Sequence, residues 1–220
     1  MNRKTIGVLG LGLFGSSVAK TLSENNIDVI AMDYNMDHVE EVVDLVDVAI
    51  QGDFTKINQL QDAGFAECDE VVIASAEKLE NTILAILNLK KLGVPLITAK
   101  TKSEDYREVL EMVGASRVIL PEIEMGVQMG TTLSNPIVSE LIKLDDRYNV
   151  IEFQCQKSWI GKSIVQIDFR NNYNTNIIAI RPKKTDEFTI EFGPNYIVTE
   201  GDIFLGITTD AGVKGLMKSK

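Results

Sequence analysis

Short apolar runs alternate with longer amphipathic stretches along the first 120 residues of the chain, the runs falling at 5–9, 28–32, 48–51, 70–74, 96–99 and 117–120. They are rich in Val and Ile and nearly apolar throughout, as strands buried on both faces of a parallel sheet should be. Between them the apolar spacing is helical, most clearly over 79–92, which stops at Gly93 with Pro95 close behind. Repeated strand–helix units of this kind predict an α/β domain, a Rossmann-like doubly wound parallel sheet with right-handed crossovers. After Leu120 the pattern changes. Residues 122–133 read as a helix, Asn135-Pro136 breaks or kinks it, and 137–144 resume it up to a polar joint at Asp145-Asp146-Arg147. Beyond the joint, 148–155, 177–181, 188–192 and 202–208 read as strands, with one short helix at 162–166. The expected organisation is a Rossmann domain over 1–121, crossover helices serving as a linker over 122–147, and a small α+β domain over 148–220.

Length agrees with two unequal domains, since 220 residues exceed the roughly 150 of an average one. No apolar run approaches the ~20 residues that span a bilayer. The N-terminus runs into a glycine motif instead of a signal cleavage site, so the expected location is cytoplasmic, without direct membrane insertion. Charge is unevenly placed. Residues 1–147 hold 13 basic and 24 acidic side chains, whereas 148–220 hold 9 and 8. The overall net of −10 argues against a general nucleic-acid binder, which needs basic residues to displace phosphate counterions. Local backbone dipoles can still hold a small anion on an acidic lobe. Cys68 and Cys155 are too few for a disulfide scaffold or zinc cluster and read as buried hydrophobes.

The chemistry-bearing motif is Gly10-Leu11-Gly12-Leu13-Phe14-Gly15, which follows the first strand and opens a helix at 16–22. Gly10 permits the tight turn, Gly12 lets the backbone approach a phosphate, Gly15 lets helix and strand pack closely, and the helix N-terminus offers free N–H groups. Asp33 ends the second strand, where an acid accepts from a ribose diol. Its charge disfavours a ribose 2′-phosphate and suits NAD, ADP and ATP alike. Asp53 and Phe54 follow the third strand at the adenine end, Phe54 either stacking on the base or packing in the core. Ala74 and Ser75 line the same crevice from the fourth strand. Catalytic groups are missing from the pattern. His38, the only histidine, lies on the adenosine side and reads as a surface helix residue. No tyrosine is followed four residues later by lysine, and no Walker A lysine motif is present. An enzyme is therefore not expected.

In their order these motifs resemble the KtrA/TrkA-type cytosolic proteins that carry the RCK (regulator of conductance of potassium) fold and gate bacterial potassium transporters. The resemblance rests on the glycine motif, Asp33, Gly52-Asp53, Ala99-Lys100, the run from Gly114 through Pro121-Glu122, and a C-terminal lobe closing on Glu200-Gly201-Asp202. It implies a dimer assembling into an octameric ring on a membrane potassium-translocating subunit (KtrB/TrkH-like), with ATP/ADP or NAD/NADH shifting the ring between shapes. It carries phosphate contacts to Gly12 and Lys100, and to Glu122 a part in holding a divalent cation between neighbouring subunits' phosphates. Leu13 stands where many relatives have arginine, so the charge-assisted contact to a terminal phosphate is lost at this position. The apolar side chains of 122–144, among them Met125, Met129, Leu133, Val138, Leu141 and Ile142, offer a surface to a neighbouring subunit or pack on their own domain. The C-terminal lobe resembles one that binds cyclic di-AMP in several Gram-positive members. By that resemblance Arg170 pairs with a phosphate, Asn172 and Asn176 are polar contacts, and Ile164, Phe169, Ile177 and Pro194 form an apolar floor for adenines. A stand-alone sensor with another partner and a small NAD-dependent dehydrogenase are the competing readings.

Overall fold

The computed structural model describes residues 3–75, 78–134, 138–145 and 147–218. The chain divides into two compact units, Met1–Ile123 and Glu124–Lys220.

In the first unit six parallel strands, β1 (Thr5–Leu9), β2 (Asp28–Asp33), β3 (Val48–Gln51), β4 (Glu70–Ile73), β5 (Leu96–Lys100) and β6 (Arg117–Ile119), lie in the order β3-β2-β1-β4-β5-β6. Helices α1 (Leu13–Glu24), α2 (Met36–Glu40), α3 (Ile57–Asp62), α4 (Leu79–Lys91) and α5 (Asp105–Val113) alternate with them, and α6 (Pro121–Leu133) follows β6. Period-2 geometry divides each strand between two cores. Val29, Ala31 and Val72 face one core with Ala19 of α1, whereas Met32, Val71 and Ile73 face the other with Ala85, Ile86 and Leu89 of α4. Both faces of the sheet are thus covered, which is why its strands read as continuous apolar runs.

The second unit holds an antiparallel sheet of β7 (Val138–Lys143), β8 (Tyr148–Gln154), β9 (Thr175–Arg181) and β10 (Ile203–Thr209), ordered β7-β8-β10-β9. The short helices α7 (Ile164–Ile167) and α8 (Phe169–Tyr173) precede β9, and α9 (Asp210–Lys218), which the sequence pattern did not reveal, follows β10. Its core is aromatic. Phe153 stacks on Phe204 at 5.6 Å between centroids, and Trp159 meets Phe169 edge-on at 4.9 Å.

Two expected elements are corrected. The described part of 137–144 is the strand β7, whose Val138 pairs with Phe153 and Ile142 with Val150 of β8. Apolar side chains at 138, 141 and 142 suit a helix as well as a strand, and the open edge of β8 decides between them. Asn135-Pro136 lies outside the described residues. Residues 188–192 form no strand: only Thr189 bridges to Ile180, and Pro182 has no N–H to extend the pairing.

Candidate functional site

β1 lies between β2 and β4, and α1 and α4 pack into different cores. The crevice at the carboxyl ends of these strands is the switch point where open α/β sheets take their ligands. Here it is a cavity of about 650 Å³. Gly10, Gly12, Asp33, Asp53, Phe54, Ala74, Ser75 and Lys100, all expected at the site, line it. So do eight residues outside that set: Tyr34, Asn35, His38, Gly52, Thr55, Lys78, Asn81 and Lys102. Lys78 and Lys102 sit just beyond β4 and β5, so a search of every loop leaving a strand's carboxyl end would have found them.

The glycine motif divides its work by position. Gly10 has φ +91°, and a Cβ there would stand 2.8 Å from Ser75 Cβ. A Cβ on Gly15 would collide with the Gly10 carbonyl oxygen, so this glycine lets α1 start directly against the turn. A Cβ on Gly12 would meet nothing within 4 Å, which leaves the N-terminus of α1 open toward the crevice. Gly15 and Phe14 do not line the cavity. The Phe14 ring instead lies beneath the Lys100 ammonium, 5.1 Å from its centroid.

Asp33 is held by the backbone. One oxygen accepts from Leu11 N at 2.5 Å and the other from Asn35 N at 2.8 Å. His38 Nδ1 comes within 3.4 Å of this carboxylate without the alignment of a hydrogen bond. Asp53 accepts from the Thr55 hydroxyl at 2.6 Å and from Thr55 N at 2.9 Å, and the hydroxyl's hydrogen bond holds its carboxyl below the usual range. Phe54 has only an edge in the crevice. At 9% exposure it belongs to the core with Met32 and Leu60, so packing accounts for it. Lys100 is buried, and its Nζ lies 2.7 Å from Glu122 Oε1 at the start of α6. That ammonium's hydrogen bond lowers the Glu122 pKa. Taken alone, these residues do not fit a divalent cation: among the described residues no three His, Cys, Asp or Glu side chains gather to hold one, and Glu122 is paired with Lys100. Burial pushes the Cys68 thiol up to about 12, and Cys155 Sγ donates to the Thr199 carbonyl. Neither is built as a nucleophile.

In the second unit a pocket of about 380 Å³ opens against α7, α8 and β9. Ile164, Phe169, Arg170, Asn176, Ile177 and Pro194 line it, together with Val165, Asp168, Thr175 and Phe192. Arg170 Nε donates to Asn176 Oδ1 at 2.9 Å, so two of the three expected polar contacts come together. Asn172 does not join them, because its amide donates to the Ile167 carbonyl at 2.8 Å. Phe169 is a core residue whose exposed fraction is 3%, which leaves only an edge for a ligand. A capping box positions the wall: the Ser163 hydroxyl accepts from Gln166 N, and the Gln166 side chain accepts from Ser163 N.

Fold and crevice together define a Rossmann-like α/β protein carrying a second, smaller antiparallel-sheet unit. Residues 6–121 match the TrkA-N domain family. Across its length the chain is similar to two curated Bacillus subtilis proteins, each at 31% identity. Ktr system potassium uptake protein C aligns over 94% of both chains. Ktr system potassium uptake protein A aligns over 92% of this chain and 90% of its own. A solved GsuK RCK domain superposes with a TM-score of 0.64 at 17% identity, covering 98% of this chain, which spans 47% of that longer one. The chain belongs to the TrkA-N family. Among the described residues no helix is long and apolar enough to cross a membrane.

Proposed function

We propose that this protein is the cytosolic regulatory subunit of a potassium uptake system, binding an adenosine nucleotide (ATP/ADP or NAD/NADH) in the first unit and cyclic di-AMP in the second. One observation carries the reading: a chain 31% identical to a Ktr potassium uptake protein over 94% of its length has a glycine-lined crevice at the switch point of its sheet, with Asp33 lining it from the end of β2. The crevice's carboxylates serve binding better than chemistry. Asp33 is fixed by two backbone N–H groups and Asp53 is tied to Thr55, while outside the lining Glu122 is paired with Lys100. Regulation then works by differential affinity, the ligand favouring one arrangement of the subunits over another, with no bond made or broken. The partner is a membrane potassium-translocating subunit of the KtrB/TrkH type, placing the protein at the cytoplasmic face of the membrane through that partner. Met125, Val127, Met129 and Leu133 of α6 are exposed, apolar area for a second copy in a dimer that builds an octameric ring. Any divalent cation at Glu122 would draw its remaining ligands from nucleotide phosphates or a neighbouring subunit. For cyclic di-AMP the support is the Arg170–Asn176 pair over an apolar wall, one charged group for a phosphate beside area for a base.

Calorimetry of the purified protein with ATP, ADP, NAD, NADH and cyclic di-AMP, alongside oligomer mass, tests the reading. Asp33→Ala should weaken the adenosine nucleotides at least tenfold and leave cyclic di-AMP unchanged, and Arg170→Ala should do the reverse. One ligand responding to both variants would collapse two sites into one. NADH as the sole ligand of a small oligomer would favour the dehydrogenase reading.

A further inference from the structure

The first turn of α1 brings no charged side chain to the carboxyl-end crevice. Leu13 is 95% exposed at the first residue of α1 and brings no charge. Lys100 has a cation, but that cation is buried and already neutralised by Glu122 at 2.7 Å. On the other side of the switch point a smaller cavity of about 250 Å³ adjoins the crevice, and Lys78, Lys100 and Lys102 line both. Three of the 11 basic side chains among residues 1–123 therefore line one place on a unit with 20 acidic ones. Neither Lys78 nor Lys102 makes an ion pair among the described residues. Thr82, Thr101 and Tyr106 also line the small cavity, and among the described residues Glu80 is the one carboxylate that lines it.

We propose that Lys78 and Lys102 hold the distal phosphate of the adenosine ligand, so that phosphate-chain length is read from the loops after β4 and β5 and not from the glycine turn. This rests on nucleotide binding in the crevice, and it adds the specificity-determining side chains and the ligand class, an adenosine bearing two or more phosphates. Two ammonium groups on short loops act as point charges, suited to a phosphate that needs charge more than a planar fork. Lys100 anchors the wall between the cavities, and Lys78 and Lys102 select, Lys102 also acting on Glu122 through its charge without forming an ion pair. Glu80 opposes them by like-charge repulsion with the ligand, which sets how steeply affinity rises with each phosphate.

The test is titration of the full chain with AMP, ADP and ATP, for the wild type, the double variant Lys78→Met/Lys102→Met, Lys78→Arg/Lys102→Arg and Glu80→Gln. Wild-type affinity should rise from AMP to ATP. The methionine variant should lose about tenfold or more for ATP and nothing for AMP, and the arginine variant should restore ATP. Glu80→Gln should tighten ATP several-fold, a gain that misfolding cannot imitate. If the methionine variant binds all three nucleotides as the wild type does, or loses AMP and ATP equally, the two lysines do not read phosphates, although the nucleotide reading stands. If the wild type binds none of the three nor NAD, that reading falls and this inference with it.

Discussion

Gly15 shows how much a single missing atom can decide. Its Cβ would run into the Gly10 carbonyl oxygen, and the backbone there cannot yield without moving the turn at Gly10, itself at φ +91°. Gly15→Ala should destabilise the first unit by about 1–3 kcal/mol, as overpacking does, and weaken nucleotide binding at least tenfold because the α1 N–H groups shift away from the phosphate. Denaturant unfolding and calorimetry read the two effects, and a variant with wild-type stability and affinity would contradict the packing account. Gly12 differs: with nothing within 4 Å of its Cβ, no packing contact accounts for its place in the motif, and on the proposed reading the ligand does. The motif and Asp33 were legible before any coordinates, because their spacing relative to the first two strands carries its own stereochemistry. Lys78 and Lys102 also follow strand ends and could be flagged as positions, but nothing local to either residue says that both line one cavity.

At the level of elements, helix caps and strand edges set the walls of the two pockets. α7 has only four residues, too short to hold itself together, and is fixed by the reciprocal hydrogen bonds of Ser163 and Gln166. Ser163→Ala should cost about 1 kcal/mol in denaturant unfolding and weaken cyclic di-AMP, because Ile164 and Val165 form the wall of that pocket. Unchanged cyclic di-AMP affinity alongside lower stability would separate the cap from the site. β7 makes the complementary point. Helix and strand patterns coincide over Val138, Leu141 and Ile142, and the choice fell to pairing with β8. Such a choice is not written in the segment itself, because the hydrogen-bond partners come from elsewhere in the chain.

For the whole molecule, the two units present chemically distinct pockets and, on the proposed reading, distinct ligands. Each ligand should slow amide hydrogen exchange chiefly in its own unit, since binding stabilises by mass action, about 2.7 kcal/mol at a hundredfold excess over Kd. A nucleotide should protect described residues up to 123 and cyclic di-AMP those from 138 onward. Protection by either ligand confined to the opposite unit would reverse the assignment of sites. Protection reaching both units would mark the coupling a regulator needs.

The sequence by itself determined the parallel sheet, its glycine turn, the acid that ends β2 and the family, because strand period, glycine stereochemistry and motif spacing are local properties of the chain. It also brought the second pocket's arginine and asparagine to notice. Only the tertiary structure decided that Phe54 and Phe169 are core residues, that Asn172 turns away from the pocket, that 138–143 is a strand, and that Lys78 and Lys102 share a cavity with Lys100. Burial, pairing and convergence depend on residues far apart in sequence, and no window along the chain contains both partners.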